Sequence, residues 1–191
     1  MIKREYRCFF EGQQEKMYFN YVAKKVKETN SDISLKFKEV AKLKTLDISS
    51  TNVKKIAVFD YDLNKKDFED KVKMCRHTEI LYSNLNFDLW LLLHKKMFEK
   101  NVQNNDAYVK MIRKEYNLGE NANIKSKVNM EKILNQIELC DIKMAINNAE
   151  KIMNKKLDED AIYVKKGFVY YPNPSMSINV FFSELFDEIY I

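Results

Sequence analysis

One short apolar run, Ile56-Ala57-Val58-Phe59, is followed at once by Asp60-Tyr61-Asp62. Four consecutive apolar residues are typical of a strand that is buried on both faces, as the strands of a parallel sheet are. Because one residue separates the two aspartates, their side chains leave the same side of an extended backbone. The segment therefore predicts an α/β fold in which a central parallel strand ends in carboxylates.

The elements around this strand alternate between strands and helices. The sequence predicts strands at 6–10, 33–40 and 79–82, helices at 14–28 and 65–75, the second capped by Asn64, and a polar loop at 45–52. Within 83–94 the chain turns into a strongly apolar helix, and further helices are predicted at 107–116, 130–140, 141–154 and 177–189. We expect a Rossmann-type core, in which helices flank a partly parallel central sheet, and a mainly helical C-terminal elaboration.

Length and composition fit one folded domain. The chain has 191 residues, of which 46% are hydrophobic and 32% are charged, a balance typical of globular proteins. We expect a single domain over residues 1–191, with the α/β core in 1–100 and the helical elaboration, including a closing C-terminal segment, in 101–191. Only three glycines are present, which argues against a Gly-rich phosphate loop or a dinucleotide-binding motif.

Cysteine usage, hydropathy and charge bear on the protein's surroundings. Cys8, Cys75 and Cys140 are widely spaced and form no metal-binding motif, so we expect reduced thiols in a cytoplasmic protein. No apolar run reaches the roughly 20 residues that span a bilayer, and the first residues lack the apolar segment of a signal peptide. The formal charge of +5 permits a nucleic-acid partner without demanding one.

Glu11-Gly12 ends the first predicted strand, as the aspartates end the third. If these two strands are neighbours in the sheet, Glu11, Asp60 and Asp62 converge at its carboxyl edge, where open α/β folds bind ligands. Three carboxylates repel one another unless a hard cation such as Mg²⁺ or Mn²⁺ neutralises them, and such an ion can activate water against a phosphodiester. The alternative is that each acid is a solvated loop residue, as an isolated strand-end Glu or Asp-x-Asp motif usually is.

Five short motifs lie along most of the chain, at 9–19, 58–62, 83–94, 145–149 and 172–175. In sequence and in order they resemble motifs of the RloB-like proteins of bacterial phage-resistance loci. The most specific is Ser-Asn-Leu-Asn-Phe-Asp-Leu-Trp-Leu-Leu-Leu-His at 83–94, which is similar to the family's Ser-Asn-Pro-x-Phe-Glu-x-Trp-x-x-x-His. The chain departs from the family pattern at Leu85, where Pro is usual, and at Asp88, where Glu is usual. The first family motif has a second Glu shortly before Tyr-Phe, and matching Glu15 to it requires a one-residue gap before Tyr18-Phe19.

This resemblance implies a Toprim-like fold, in which a strand-end Glu and a strand-end Asp-x-Asp, here Glu11, Asp60 and Asp62, bind divalent metal. It also implies a metal-dependent nuclease that acts in abortive infection, paired with an ATPase of the SMC/ABC class. The chain contains no Walker A sequence, so ATP hydrolysis would belong to that partner. The likeness to related Toprim effectors favours RNA, including tRNA, slightly over DNA, whereas the sequence itself does not discriminate between them.

The remaining candidate residues each have a structural alternative. Glu15 could help to hold a second metal or be a surface acid near a helix N-terminus, and Asp88 has the same two interpretations. His94 could contact phosphate or transfer a proton, with Lys95 as a second cation, or it could be a structural histidine. Asn84 could orient a ligand or cap a turn.

Three functions fit these residues. The leading hypothesis is a Mg²⁺- or Mn²⁺-dependent phosphodiesterase or nuclease effector of antiphage abortive infection, with Glu11, Asp60, Asp62 and His94 as its catalytic residues. The alternatives are a non-catalytic Toprim-like binding or sensor subunit of a defence ATPase complex, and another phosphoryl-transfer enzyme on the same scaffold. The sequence leaves the oligomeric state open, a homo-oligomer included.

Overall fold

The computed structural model describes residues 1–48, 53–61, 64–158, 161, 163–165 and 168–189. In chain order these residues form the elements β1 (Ile2–Phe10), α1 (Gln13–Thr29), β2 (Ile33–Glu39), α2 (Leu43–Ile48), β3 (Lys54–Tyr61), α3 (Lys65–Met74), β4 (Glu79–Asn84), α4 (Asp88–Leu93), α5 (Asp106–Glu115), α6 (Lys127–Leu134), α7 (Leu139–Lys156), β5 (Tyr163–Lys165), β6 (Phe168–Tyr170) and α8 (Ile178–Glu188). None of the helices in these ranges is long and apolar enough to cross a membrane.

Within the described residues, four parallel strands form the central sheet, in the order β2-β1-β3-β4. The predicted α/β fold with flanking helices is therefore confirmed. From β1 the chain first turns to one side to add β2, and it later crosses to the other side of β1 to add β3. Open α/β sheets bind ligands beside such a reversal, at the carboxyl ends of the strands.

The side chains of β3 alternate between two apolar layers. Ile56 and Val58 belong to the layer that contains α1, whereas Ala57 and Phe59 belong to the opposite layer, with Phe68 of α3. All four strand residues are buried. The apolar run is thus buried on both faces, as its composition predicts, because helices cover both sides of the sheet.

The helices of the second half of the chain, α4 to α8, pack on the α1 side of the sheet. Trp90 of α4 stacks on Phe182 of α8, with ring centroids 5.8 Å apart and planes inclined by 8°. Tyr18 of α1 meets both rings edge-on. The three side chains are fully buried, and the same core continues into α5, α6 and α7. This burial accounts for the unbroken apolar character of α4.

Several element boundaries differ from the predicted ones. Helix α2 replaces the first part of the predicted loop at 45–52, because Leu43 and Leu46 bury their side chains one turn apart; residues 49–52 lie outside the described residues. Strand β4 continues to Asn84, so α4 begins only at Asp88. Helix α6 ends early and α7 starts early, because Glu138 and Asp141 form a capping box at the start of α7.

Strands β5 and β6 pair antiparallel in a hairpin that the sequence did not predict. Each strand is only three residues long, the lower end of the usual range, so the hydrophobic alternation is too short to detect. Tyr170 of β6 packs against Tyr61 and Phe68, on the α3 side of the sheet. The C-terminal elaboration therefore contributes helices to one face of the sheet and this hairpin to the other.

Candidate functional site

Glu11 and Asp60 lie side by side at the carboxyl ends of β1 and β3. The Glu11 N–H donates to the Val58 carbonyl oxygen (3.0 Å), which extends the pairing of the two strands beyond Phe10. The Glu11 Oε2 accepts a hydrogen bond from the backbone N–H of Asp60 (3.0 Å). The two strands are neighbours, as the prediction requires, and the Glu11 carboxylate lies against the backbone of Asp60. Asp62, the third predicted ligand at this edge, lies outside the described residues.

Lys71 of α3 is a partner of Glu11 that the sequence did not reveal. Its Nζ lies 2.6 Å from Glu11 Oε1 and 2.5 Å from Asp67 Oδ2, and 5.9 Å from the centroid of the Phe59 ring. The i,i+4 spacing predicts the pair with Asp67. The contact with Glu11 depends on which strand end α3 lies against, and the sequence around Lys71 does not specify that. An ammonium group therefore already balances the Glu11 carboxylate.

Glu15, in the first turn of α1, is a buried acid rather than a surface one. The residue is 4% exposed, and its Oε2 has no hydrogen-bond partner among the described residues. Burial, reinforced by the charges of Glu11 and Asp88, raises the pKa of Glu15 to about 7. A Cβ atom at Gly12 would lie 2.6 Å from the same Oε2, so the glycine leaves room for this carboxyl group.

Asp88 begins α4 and is fully buried next to α1. Its Oδ1 accepts a hydrogen bond from Gln14 Nε2 (3.3 Å), and its Oδ2 accepts one from Asn86 Nδ2 (3.1 Å). The Asp88 N–H in turn donates to Asn86 Oδ1 (3.0 Å). Burial raises the pKa of Asp88. The Gln14 amide thus holds Asp88 against the first turn of α1, where Glu15 follows Gln14 in the chain.

The four acids Glu11, Glu15, Asp60 and Asp88 offer oxygen donors, which Mg²⁺ and Mn²⁺ prefer. In the part of the chain that the structure describes, no three Asp, Glu, His or Cys side chains lie close enough together to hold one metal ion. Glu15 Oε2 is nevertheless a buried oxygen without a hydrogen-bond partner in this part of the chain, and a bound ligand can supply the missing contact of such an atom. The donor chemistry fits a hard cation, and full coordination by Glu11 requires Lys71 to release its Oε1.

His94 lies in the core, and neither of its ring nitrogens bonds to an acid. Nε2 is 2.8 Å from the Tyr18 hydroxyl oxygen, and Nδ1 is 2.9 Å from the Trp90 carbonyl oxygen. The side chain is fully buried, and this burial lowers the pKa of His94 to about 4. These contacts are those of a structural histidine that stays neutral near pH 7. We therefore do not include His94 in the site that we propose below.

Lys95 and Asn84, the two predicted substrate-binding residues, both make tertiary contacts. The Lys95 Nζ donates to the Gln136 carbonyl oxygen (2.6 Å) and lies 3.4 Å from Asp141 Oδ2. The Asn84 Nδ2 donates to the Tyr170 hydroxyl (3.1 Å) and to the Tyr171 carbonyl oxygen (3.0 Å). Lys95 links the end of α4 to the start of α7 and the turn before it, whereas Asn84 links β4 of the sheet to β6 and the residue after it. Asn84 nevertheless stands at the carboxyl end of β4, beside the site.

The chain was compared with families, curated proteins and solved structures. The sequence model of a family described as RloB-like protein matches residues 6–185. The chain belongs to the RloB-like family. No curated protein and no solved structure gives a significant match. Membership of the RloB-like family confirms the resemblance seen in the motifs and fits a defence-associated role.

The turn between β4 and α4 is where this RloB-like chain departs from the Ser-Asn-Pro pattern. Leu85 adopts a positive φ of 63°, and its N–H donates to Asn84 Oδ1 (2.7 Å). Proline is fixed near −65° and has no N–H, so it could do neither. The Ser83 hydroxyl closes the turn by donating to the Asn86 carbonyl oxygen (2.7 Å). Leu85 therefore holds a backbone conformation that proline could not adopt, three residues before Asp88.

The raised pKa of Glu15 predicts how the stability of the metal-free RloB-like protein depends on pH. The folded state retains a proton that the unfolded chain releases between pH 4.5 and about 7, so wild-type stability falls as the pH rises through that window. Glu15→Gln removes this loss. We expect the free energy of unfolding of the variant, relative to wild type, to increase by about 2 kcal/mol from pH 5 to pH 7.

Denaturant unfolding in EDTA at the two pH values measures this difference. Glu28→Gln is the matched control, because Glu28 is exposed near the end of the same helix and pairs only with exposed Lys24 among the contacts of the described residues. Its stability relative to wild type should not change with pH. If the free energy of unfolding of Glu15→Gln relative to wild type also stayed the same at the two pH values, Glu15 could not be a buried carboxyl group with a raised pKa.

Proposed function

We propose that this RloB-like protein is a divalent-metal-dependent phosphodiesterase that cleaves nucleic acid as the effector of an antiphage abortive-infection system. The observation that carries the proposal is that the Glu11 carboxylate bonds to the backbone of Asp60 at the carboxyl ends of two neighbouring parallel strands. The chain order reverses at these two strands, which is where open α/β folds bind ligands. A strand-end Glu beside a strand-end Asp-x-Asp is also the Toprim arrangement that the motifs imply.

The buried acids behind this edge support the same proposal. Glu15 and Asp88 are buried with raised pKa values, and the Glu15 Oε2 has no hydrogen-bond partner within the described ranges. Burying a carboxyl group without a partner costs stability. Clustered groups with perturbed pKa values at a strand edge are more typical of functional sites than of structural ones.

Glu11 and Asp60 would hold Mg²⁺ or Mn²⁺, together with Asp62, which follows Asp60 by two residues. The buried acids Glu15 and Asp88 lie behind them and would complete the site. Such an ion supplies an activated water and neutralises charge on the phosphodiester. The chain's own groups orient the site: the Asp60 N–H fixes the Glu11 carboxylate, and Gln14 and Asn86 fix Asp88. Lys71, once released from Glu11, is a cation in reach of the same edge and can neutralise a phosphate oxygen.

The wider setting of the proposal comes from family resemblance. It implies an SMC/ABC-class ATPase as the partner and slightly favours RNA, including tRNA, over DNA as the substrate, whereas the cysteine usage favours a cytoplasmic setting. The formal charge of +5 is compatible with a nucleic-acid substrate. None of the acids at the strand edge distinguishes RNA from DNA.

Metal-dependent cleavage tests the proposal. Purified protein, alone and with its ATPase partner, is incubated with total tRNA, single-stranded RNA and supercoiled plasmid, in Mg²⁺, Mn²⁺ or EDTA. We expect cleavage of at least one substrate in metal and none in EDTA. Cleavage that continues in EDTA, or no cleavage of any substrate with the partner present, would contradict the proposal.

A non-catalytic binding or sensor subunit is the second candidate function, and the Lys71–Glu11 ion pair favours it. A permanently bonded ammonium group would take the place of a metal ion at the strand edge. Divalent-metal binding distinguishes the two candidates. A binding module with a permanent ion pair needs no metal, whereas the phosphodiesterase must bind one.

Lys71→Met is therefore expected to increase the affinity of the metal-free protein for Mn²⁺. The substitution frees Glu11 Oε1 and removes a positive charge beside the incoming ion, which is worth roughly three- to tenfold in affinity. Titration calorimetry measures the change. Lys73→Met is the matched control on the same helix, since Lys73 pairs with Asp70, and it should leave the affinity unchanged. Absence of Mn²⁺ binding in both variants and in wild type would favour the binding module.

A further inference from the structure

A cavity of about 410 Å³ opens at the carboxyl ends of β3 and β4. Its walls come from the strand ends, from the loop at 101–103 and from the segment after β6. Tyr61 follows Asp60 directly, and Asn84 follows Ser83, the residue that pairs with Asp60 in the sheet. The cavity therefore begins one residue beyond the acid edge on which the proposed function rests, and its volume is in the range of small-ligand pockets.

The described side chains that line this cavity are uncharged. Asn101 and Gln103 contribute exposed amides, and Tyr61, Val102 and Pro172 contribute aromatic and apolar surface. A phosphate or a carboxylate would find no cation among these residues. A neutral aromatic heterocycle fits them better, because amides match its hydrogen-bond donors and acceptors while the ring surfaces match its faces.

The cavity walls are held in place by buried amides. The Asn173 Nδ2 donates to the Val102 carbonyl oxygen (2.7 Å), and its Oδ1 accepts a hydrogen bond from the Tyr108 hydroxyl (3.0 Å). The ring centroids of Tyr61 and Tyr170 are 4.4 Å apart, and Asn84 holds the Tyr170 hydroxyl. The cavity is thus preformed, which reduces the conformational entropy lost on binding.

We propose that this cavity is a nucleobase subsite. It would take one unstacked base of a single-stranded nucleic acid whose neighbouring phosphate lies at the Glu11–Asp60 edge, so this inference rests on the proposed function for the position of the phosphate. Asn101 and Gln103 read the edge of the base, and Tyr61, Val102 and Pro172 contact its faces. The neutral cavity would thus bind the base of one nucleotide, and the acid edge would bind its phosphate.

Binding without cleavage tests the subsite. Fluorescence anisotropy measures the affinity of the full chain, with Ca²⁺ present to neutralise the acid edge, for a single-stranded oligonucleotide of about eight nucleotides and for an abasic one of the same length. We expect the abasic oligonucleotide to bind at least fivefold more weakly, since one stacked base is worth about 1–3 kcal/mol. Asn101→Ala combined with Gln103→Ala should reduce this difference, whereas Asn154→Ala, an exposed amide on α7, should preserve it.

Equal binding of the two oligonucleotides by wild type would overturn the subsite, as would undetectable binding of both. A double variant that keeps its melting temperature and also keeps the full base-dependent difference would overturn it as well. Because the assay measures binding and not cleavage, its result does not depend on catalysis. Base-dependent binding by a protein that never cleaves nucleic acid would leave the subsite in place and reject the nuclease, whereas cleavage without base-dependent binding would do the reverse.

Discussion

Replacing Glu11 by glutamine is expected to lower the rate of metal-dependent cleavage by about 10²-fold or more. Glu11 is the strand-end acid that bonds to the backbone of Asp60 and to Lys71, so it connects the two strands that form the proposed site. Glutamine keeps the size of the side chain and can still accept the Asp60 N–H, but it is a weaker metal ligand and no base. The measurement is the initial rate of cleavage of the substrate identified in the panel described above.

Asp67→Asn is the matched control for this experiment. Asp67 and Glu11 both contact Lys71, so each variant removes one carboxylate partner of the same ammonium group. Asp67 lies on α3 and is largely exposed, so its substitution should change the rate by less than about threefold. Equal losses in the two variants would show that Lys71, rather than a metal at Glu11, governs the activity.

Phe182→Ala is expected to destabilise the protein by about 3–5 kcal/mol, the usual cost of truncating a fully buried phenylalanine. The ring stacks on Trp90 of α4 and lies 5.6 Å from the ring centroid of Tyr18 and 5.0 Å from that of Phe19 in α1. Its loss therefore leaves a cavity where α8 packs against α1 and α4. Chemical denaturation of wild type and variant measures the difference in the free energy of unfolding.

Val180→Ala is the control for this truncation. Val180 lies two residues earlier in α8 and is 49% exposed, so its loss should change the free energy of unfolding by less than about 0.5 kcal/mol. A cost below about 1 kcal/mol for Phe182→Ala would mean that α8 does not pack against α1 and α4 as the structure shows.

The position of the two central acids was predictable from the sequence, because it follows from strand burial. A run that is apolar at every position must be covered on both faces, which predicts a parallel strand, and residues after parallel strands meet at one edge. The position of Glu11 beside Asp60 needed only one further condition, that β1 and β3 are neighbours, and they are. Local pattern was sufficient here because the residues that follow two neighbouring parallel strands lie next to each other at one edge of the sheet.

Other features of the site depend on contacts between distant elements. Lys71 reaches Glu11 across 60 residues, and the pKa of Glu15 is raised by burial and by the charges of Glu11 and Asp88, the latter on α4. No local pattern in the sequence predicts either feature, because each depends on residues that are far apart in the chain. His94 shows the opposite case: the motif around it suggests chemistry, but the hydrogen bonds to Tyr18 and Trp90 belong to the core.

Locating Mn²⁺ by anomalous diffraction tests the central claim most directly. Crystals of the metal-free protein are soaked in Mn²⁺, and anomalous difference maps are compared with those of Glu11→Gln crystals treated in the same way. We expect a peak between Glu11 and Asp60 in the wild type, with the Lys71 ammonium moved away from Glu11 Oε1, and no peak there in the variant. Wild-type crystals in which Lys71 still bonds to Glu11 and no peak lies beside the strand ends would contradict a metal-dependent site.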